Sequence, residues 1–221
     1  MMSKRQSANT TFTKKEINFL QKFQKPYHIQ IYLNSIKYNP ESITSSPKVV
    51  LERGSANCFE GALYAAAALR ILGYKPLIVD MIAENDDDHV IAVFKQNEHY
   101  GAVAKSNTTL LRFREPVYRT VRELVMSYFD FYFNTDGEKS LRTYSNPVDL
   151  SKFDKYYWMT TDKSLEFIGD YLYEIKHHKI LNSKTKRSLS IADDQLINIC
   201  FMGSVPEGLF NPEKKKLISK K

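Results

Sequence analysis

Residues 54–76 of the chain, GSANCFEGALYAAAALRILGYKP, decide the fold that the sequence predicts. The stretch from Cys58 to Leu72 is rich in Ala and Leu, which favour helix formation. Gly73 and Pro76 follow it, and residues of these two types commonly end a helix. We therefore predict a helix that begins at Cys58 and ends near Leu72.

Three strand-like runs follow this helix along the chain. Residues 77–83 form a compact apolar run that suits a buried strand, and the acidic turn 84–88 comes next. Residues 89–95 and 100–106 are two further runs of this kind, and the polar residues between them predict a hairpin. The order helix, strand, strand, strand indicates an α+β fold, with the helix packed on an antiparallel sheet.

Additional helices are expected on both sides of this region. Apolar residues at helical spacing predict helices over 14–23, 27–36, 116–133 and 165–181. The stretches 37–46 and 135–149 have the composition of surface loops. On this interpretation His177 and His178 lie at the end of a helix, where a positive charge is favourable.

The net charge of +7 is concentrated at the two ends of the chain. Residues 1–15 and 213–221 hold nine of the 32 basic residues and one of the 25 acidic residues, so the remainder is close to neutral. We predict a disordered lead-in over 1–13, a single domain over 14–212 with a helical C-terminal elaboration, and a basic tail over 213–221. Specific nucleic-acid binding is not expected.

Neither a membrane segment nor a cofactor site is predicted. The longest apolar stretch, Ala62 to Leu69, is too short to span a bilayer, and the first 15 residues lack the apolar run of a secretory signal. The two cysteines, Cys58 and Cys200, form no CxxC pair and fit a reducing compartment. We therefore expect a cytoplasmic protein without membrane contact, metal or other cofactor.

Cys58 and His89 are the first candidates for chemistry. A cysteine at a helix N-terminus lies near unsatisfied N–H groups and the positive end of the helix dipole, which predicts a lowered thiol pKa. A cysteine in an apolar helix is by itself more often an inert packed residue. His89 opens a strand 31 positions later and could accept the thiol proton.

The candidate for a third residue depends on the register of the hairpin. A two-residue loop places Ser106 opposite His89, whereas a three-residue loop places Asn107 there. We favour Asn107 as the residue that orients the imidazole, because an amide oxygen is a well-defined acceptor for its N–H group. Ser106 is the second choice.

Three further features near Cys58 have alternative interpretations. The N–H group of Cys58 is a natural oxyanion donor, and Asn57 is either a second donor or, as we favour, the helix N-cap. Lys105 could recognise an acidic substrate group in the cleft or could protect the edge of a strand. The acids 86–88 beside His89 could bind a metal, but a solvated turn is the preferred interpretation.

These residues resemble a known superfamily. Residues 54–62 and the helix up to Pro76 are similar to the cysteine segment of transglutaminase-like proteins, and residues 89–94 to their histidine segment. The resemblance covers most of residues 27–160. The chain also resembles a narrower group of uncharacterised bacterial proteins, in residues 29–39, 86–89, 101–107 and 116–132.

The resemblance implies an α+β, papain-like core with a triad of Cys, His and Asp or a substitute. The chain departs from the family pattern because it has Tyr100 where a Trp is usual, and no Asp between residues 89 and 107. Asn107 can orient a histidine but cannot supply a negative charge. The superfamily includes protein cross-linkers, peptidases, peptide N-glycanases and catalytically silent binding modules.

The leading hypothesis is a cysteine-dependent hydrolase or acyltransferase that acts on a peptide, amide or small acyl substrate. Cys58 would be the nucleophile, His89 the general base and then acid, and Asn107 the orienting residue. One alternative is a catalytically silent module that binds a peptide or protein partner. Another is an assembly factor whose Lys-rich C-terminus docks on an acidic protein.

Overall fold

The computed structural model describes residues 12–211, which form an antiparallel sheet with helices on both faces. The helices of these residues are α1 (Lys14–Leu20), α2 (Pro26–Ser35), α3 (Pro47–Arg53), α4 (Cys58–Ile71), α5 (Val121–Phe129), α6 (Glu166–Glu174), α7 (Ser183–Arg187) and α8 (Asp194–Phe201). The strands are β1 (Lys37–Tyr38), β2 (Ser55–Ala56), β3 (Leu77–Ala83), β4 (His89–Gln96), β5 (His99–Val103), β6 (Arg114–Tyr118), β7 (Leu141–Ser145), β8 (Val148–Asp149) and β9 (His177–Lys179). The predicted α+β class is confirmed.

The main sheet of the described residues has the strand order β6-β5-β4-β3-β7-β9, and β8 pairs with β3. Each neighbouring pair in it is antiparallel. The strands β3 to β6 lie beside one another in chain order, whereas β7 and β9 return to the opposite edge. A separate two-stranded pair, β1 and β2, is parallel.

Helix α4 covers one face of the sheet and α5 covers the other. Strand alternation divides the apolar side chains between the two faces. One hydrophobic cluster joins the alanines of α4 to side chains of β3 and β4, namely Ile78, Val90, Ala92 and Phe94. The second joins α5 to the intervening side chains Val79, Met81, Ile91 and Val93. The sheet is therefore buried on both faces, and α4 runs close to it because alanine side chains are short.

After β5, three predicted elements differ from the structure. Residues 114–118 form the edge strand β6 rather than the start of a helix, and an edge strand tolerates Pro116. Helix α5 begins only at Val121, after the cap residue Thr120. The predicted loop 135–149 contains β7 and β8.

The predicted helix over 165–181 ends at Glu174, and the two histidines lie in β9. A contact with the sheet accompanies this placement, since His177 Nε2 lies 3.1 Å from Oδ2 of the buried Asp80 in β3. The histidines therefore do not cap a helix.

The predicted terminal segments lie mostly outside the described residues. This applies to residues 1–11 of the lead-in and to the basic tail 213–221. Within the lead-in, Phe12 is buried in the core and Thr13 caps α1, so the prediction of disorder is wrong for these two residues. None of the helices within 12–211 has the length and apolar character needed to cross a membrane.

Candidate functional site

Helix α4 begins at Cys58, as predicted, and its first turn is held by a capping box. The side chain of the N-cap residue Asn57 accepts a hydrogen bond from Glu60 N, and the Glu60 carboxylate accepts one from Asn57 N. The Asn57 amide nitrogen donates to the carbonyls of Glu41 and Ile43. The preferred interpretation of Asn57 as a helix cap is confirmed, and its amide hydrogens face these carbonyls.

Glu60 is a buried carboxylate whose structural role the sequence analysis did not predict. Its side chain is fully buried and lies 2.6 Å from an Arg53 guanidinium nitrogen. Asn39 and the Ser45 N–H group also donate to it. These contacts tie the N-terminal turn of α4 to the loop before α3, so that the position of Cys58 is fixed from two sides.

His89 is the first residue of β4, and its ring is oriented by a backbone carbonyl. Nε2 lies 3.0 Å from the oxygen of Leu111. Because a carbonyl only accepts hydrogen bonds, Nε2 carries the hydrogen, and Nδ1 of the neutral ring has a free lone pair. Leu111 therefore does what the analysis of the sequence assigned to a side chain, and a backbone carbonyl leaves no signature in a sequence.

The hairpin between β4 and β5 has a two-residue turn. Gln96 pairs with His99, so that Asn97 and Glu98 form the turn, both with positive φ. The three-residue loop that would place Asn107 opposite His89 is therefore wrong. The ladder ends at the pair Ala92 and Val103, before it reaches the histidine.

Ser106 and Asn107 lie beyond the end of β5 and make their hydrogen bonds elsewhere. The Ser106 hydroxyl is 2.9 Å from the Thr108 hydroxyl. The Asn107 amide bonds both backbone groups of Val205, at 2.9 Å to its oxygen and 2.8 Å to its nitrogen. Neither side chain forms a hydrogen bond with the imidazole among the bonds of the described residues.

Lys105 supports the fold instead of facing the cleft. Its ammonium donates to the carbonyl oxygens of Leu33 and Ile36, at 2.8 and 2.6 Å, at the C-terminal end of α2. Burial lowers the pKa of this ammonium to about 8. Lys105 therefore has neither of the two roles that the sequence suggested, a substrate contact in the cleft or protection of a strand edge.

Cys58, His89, Ser106 and Asn107 line one small cavity of about 60 Å³. The acidic turn, Tyr38, Tyr132 and residues of the C-terminal segment are also among its lining residues. Cys58 also borders a wider groove of about 670 Å³, which runs along residues 38–44. The thiol thus borders both the small cavity lined by the imidazole and a wide groove large enough for a chain segment.

Both candidate catalytic groups are neutral at neutral pH. Burial, with a further contribution from Asp87, raises the pKa of the Cys58 thiol to about 12. Burial lowers the pKa of the His89 imidazole to about 4. The predicted low thiol pKa is wrong, because loss of hydration and nearby carboxylates outweigh the helix N-terminus.

The acidic turn beside His89 is held by hydrogen bonds within the protein. The Ser140 hydroxyl donates to Asp86 at 2.6 Å, and Asp88 accepts from Ala83 N at 2.8 Å. Burial raises the pKa of the Asp86 carboxyl to about 6. Within the described residues, no group of three or more His, Cys, Asp and Glu side chains is arranged to hold a metal ion.

Neither a protein-family model nor a curated protein matches the chain.

Proposed function

We propose that the chain is a cysteine-dependent hydrolase or acyltransferase with a transglutaminase-like, papain-like core, acting on a peptide, amide or small acyl substrate. One observation carries the proposal. Cys58 at the start of α4 and His89 at the start of β4 line the same cavity, and the Leu111 carbonyl holds the imidazole so that Nδ1 is unprotonated.

The chemistry would proceed from neutral groups. As sulfur attacks the acyl carbon, the thiol proton passes to His89 Nδ1, and the Cys58 N–H group at the first helical position stabilises the oxyanion. The imidazolium then protonates the leaving amine, which departs and leaves a thioester on Cys58. Attack on the thioester by water or by a second amine releases the product and regenerates the thiol.

In this scheme the Leu111 carbonyl replaces Asn107 as the orienting group. A carbonyl dipole fixes the tautomer of His89 but supplies no full charge to stabilise the imidazolium. The proposed enzyme needs no metal or other cofactor. Because Cys58 and Cys200 are both free thiols, we place it in the cytoplasm.

The test is formation of a thioester on Cys58 with activated esters and peptide amides, followed by intact-protein and peptide mass spectrometry. We compare the wild-type protein with Cys58→Ser, His89→Gln and the control Cys200→Ser. His89→Gln retains an N–H donor for Leu111 but lacks the basic nitrogen, so it should reduce acylation by about a hundredfold.

Wild-type acylation at Cys58 that depends on His89 supports the proposal. Equal rates in the wild-type protein and His89→Gln would overturn the role of the histidine, and absence of any thioester would overturn the catalytic proposal. The second candidate function is then a catalytically silent module that binds a peptide or protein partner. The neutrality of both groups favours that candidate, since a binding site needs no activated thiol.

A further inference from the structure

Residues 205–211, which we call the C-terminal strap, lie across the site that contains Cys58. Gly208, Leu209 and Phe210 line the small cavity, and the same three residues line the wide groove. Cys58 borders both spaces. The strap therefore borders both of the spaces that meet at Cys58.

The side chain of Asn107 binds the backbone of the strap. Its Nδ2 donates to Val205 O and its Oδ1 accepts from Val205 N, so one amide group satisfies both polar backbone groups of a single residue. These bonds involve no strap side chain. The same pair of bonds is available to another extended peptide whose residue at that position is not proline.

Gly208 allows the strap to pass close to Tyr38. A Cβ atom on Gly208 would lie 2.6 Å from Cε1 of the Tyr38 ring and 3.2 Å from Asn107 Nδ2. The first distance is shorter than side-chain contacts allow, so only glycine fits here without movement of the strap or the ring.

The strap lies outside the hydrophobic clusters of the core, although Phe210 and Asn211 have further interactions within the protein. Among the described residues, the three hydrophobic clusters include no residue after Phe201. Two of the strap's backbone hydrogen bonds, from Gly208 N and Leu209 N, end on Val205 and Pro206 within the strap itself. These clusters are complete without the strap, so that local opening of the strap would leave them packed.

We propose that the C-terminal strap is an intramolecular occupant of the site, which shields Cys58 until an extended peptide replaces it on Asn107. This inference rests on the proposed function only for the chemical importance of Cys58. The strap and an incoming peptide compete for the same position beside Asn107. Asn107 is the positioning residue, and it binds the backbone of the strap or of the peptide.

The test measures access to Cys58 and needs no catalytic turnover. Full-length Gly208→Ala is alkylated with iodoacetamide at pH 9, and the rate at Cys58 is followed by peptide mass spectrometry. We expect a roughly tenfold faster reaction than in the wild-type protein, because the alanine Cβ would clash with the Tyr38 ring and so favour the open strap. Met202→Ala is the matched control, since its side chain is 67% exposed and lies just before the strap.

A second variant, Val205→Pro, removes the N–H group that donates a hydrogen bond to Asn107 Oδ1. This variant should also accelerate alkylation of Cys58. A synthetic peptide with the sequence of residues 204–211 should slow the reaction of Gly208→Ala again, whereas the same peptide with Gly208 replaced by Ala should not. If both variants fold and their Cys58 is alkylated at the wild-type rate, the proposal that the strap shields Cys58 is wrong. Faster alkylation without any thioester would sustain the strap while the catalytic proposal fails.

Discussion

At the scale of single residues, Cys58 is subject to two opposing influences on its thiol. The N–H groups of Phe59 and Val90 lower the thiol pKa, while burial and the carboxylate of Asp87 raise it, and the net pKa is about 12. We expect the rate of Cys58 alkylation to keep rising above pH 10, where an ordinary thiol has reached its plateau.

Asp87→Asn should lower this pKa, because it removes the second-largest cause of the increase. The expected gain in alkylation rate at pH 9 is about threefold, the change that corresponds to half a pKa unit. The buried Cys200 serves as the internal reference in the same mass spectra. A plateau below pH 9 in the wild-type protein would contradict the raised pKa.

The candidate site was predictable where side-chain chemistry marks it. Cys58 and His89 could be selected because one opens an Ala-rich helix and the other follows an acidic turn at the start of a strand. Leu111 could not, since its contribution is a backbone oxygen. Asn107 was predicted to bind His89, whereas it binds the backbone of Val205. The prediction failed because the hairpin sequence does not determine whether the turn has two or three residues.

At the scale of elements, Lys105 connects the end of β5 to the end of α2. Its ammonium satisfies two carbonyl oxygens at a helix terminus, where a positive charge is also favoured by the helix dipole. Lys105→Met should reduce the free energy of unfolding by about 1.5–3 kcal/mol, the range for hydrogen bonds to a charged group.

Urea denaturation measures this loss, and Lys95→Met is the control because Lys95 is exposed, pairs with the exposed Glu98 and has its ammonium over the Tyr100 ring. The control should change stability by less than about 0.5 kcal/mol. If Lys105→Met had normal stability but weaker peptide binding, the result would contradict the structural role of Lys105 and would support a substrate contact in the cleft.

Elements with a complete local signal were predicted well. The helix from Cys58 and the strands on either side of the tight turn have caps, stops and apolar runs of the right length. Residues 114–118 and 177–179 could not be assigned as strands, because their strand state depends on sheet neighbours distant in sequence, β5 for the first and β7 for the second. Pairing at an edge overrides the local helical pattern.

At the scale of the whole molecule, the half-buried Asp86 carboxyl makes folding stability depend on pH. Its pKa is raised from 3.8 to about 6 in the folded protein, so the unfolded chain releases its proton first as the pH rises. Between about pH 4 and pH 6 this group therefore reduces stability, and above pH 6 the full loss persists.

Asp86→Asn removes this proton and can retain the contact with Ser140 through its amide. The difference in melting temperature, variant minus wild type, should become more positive by a few °C between pH 4 and pH 6.5. Asp136→Asn, at an exposed position, is the control and should show no such trend. A constant difference across this range would show that Asp86 ionises normally.

The position of the strap along the chain also sets an order in time. Strands β3 to β6 are neighbours in both sequence and space, so this half of the sheet can assemble while later residues are still being synthesised. Residues 205–211 emerge after the rest of the described chain. A newly made molecule therefore passes through an interval in which Cys58 and His89 are in place and uncovered, and nascent or neighbouring chains have their best access to the thiol then.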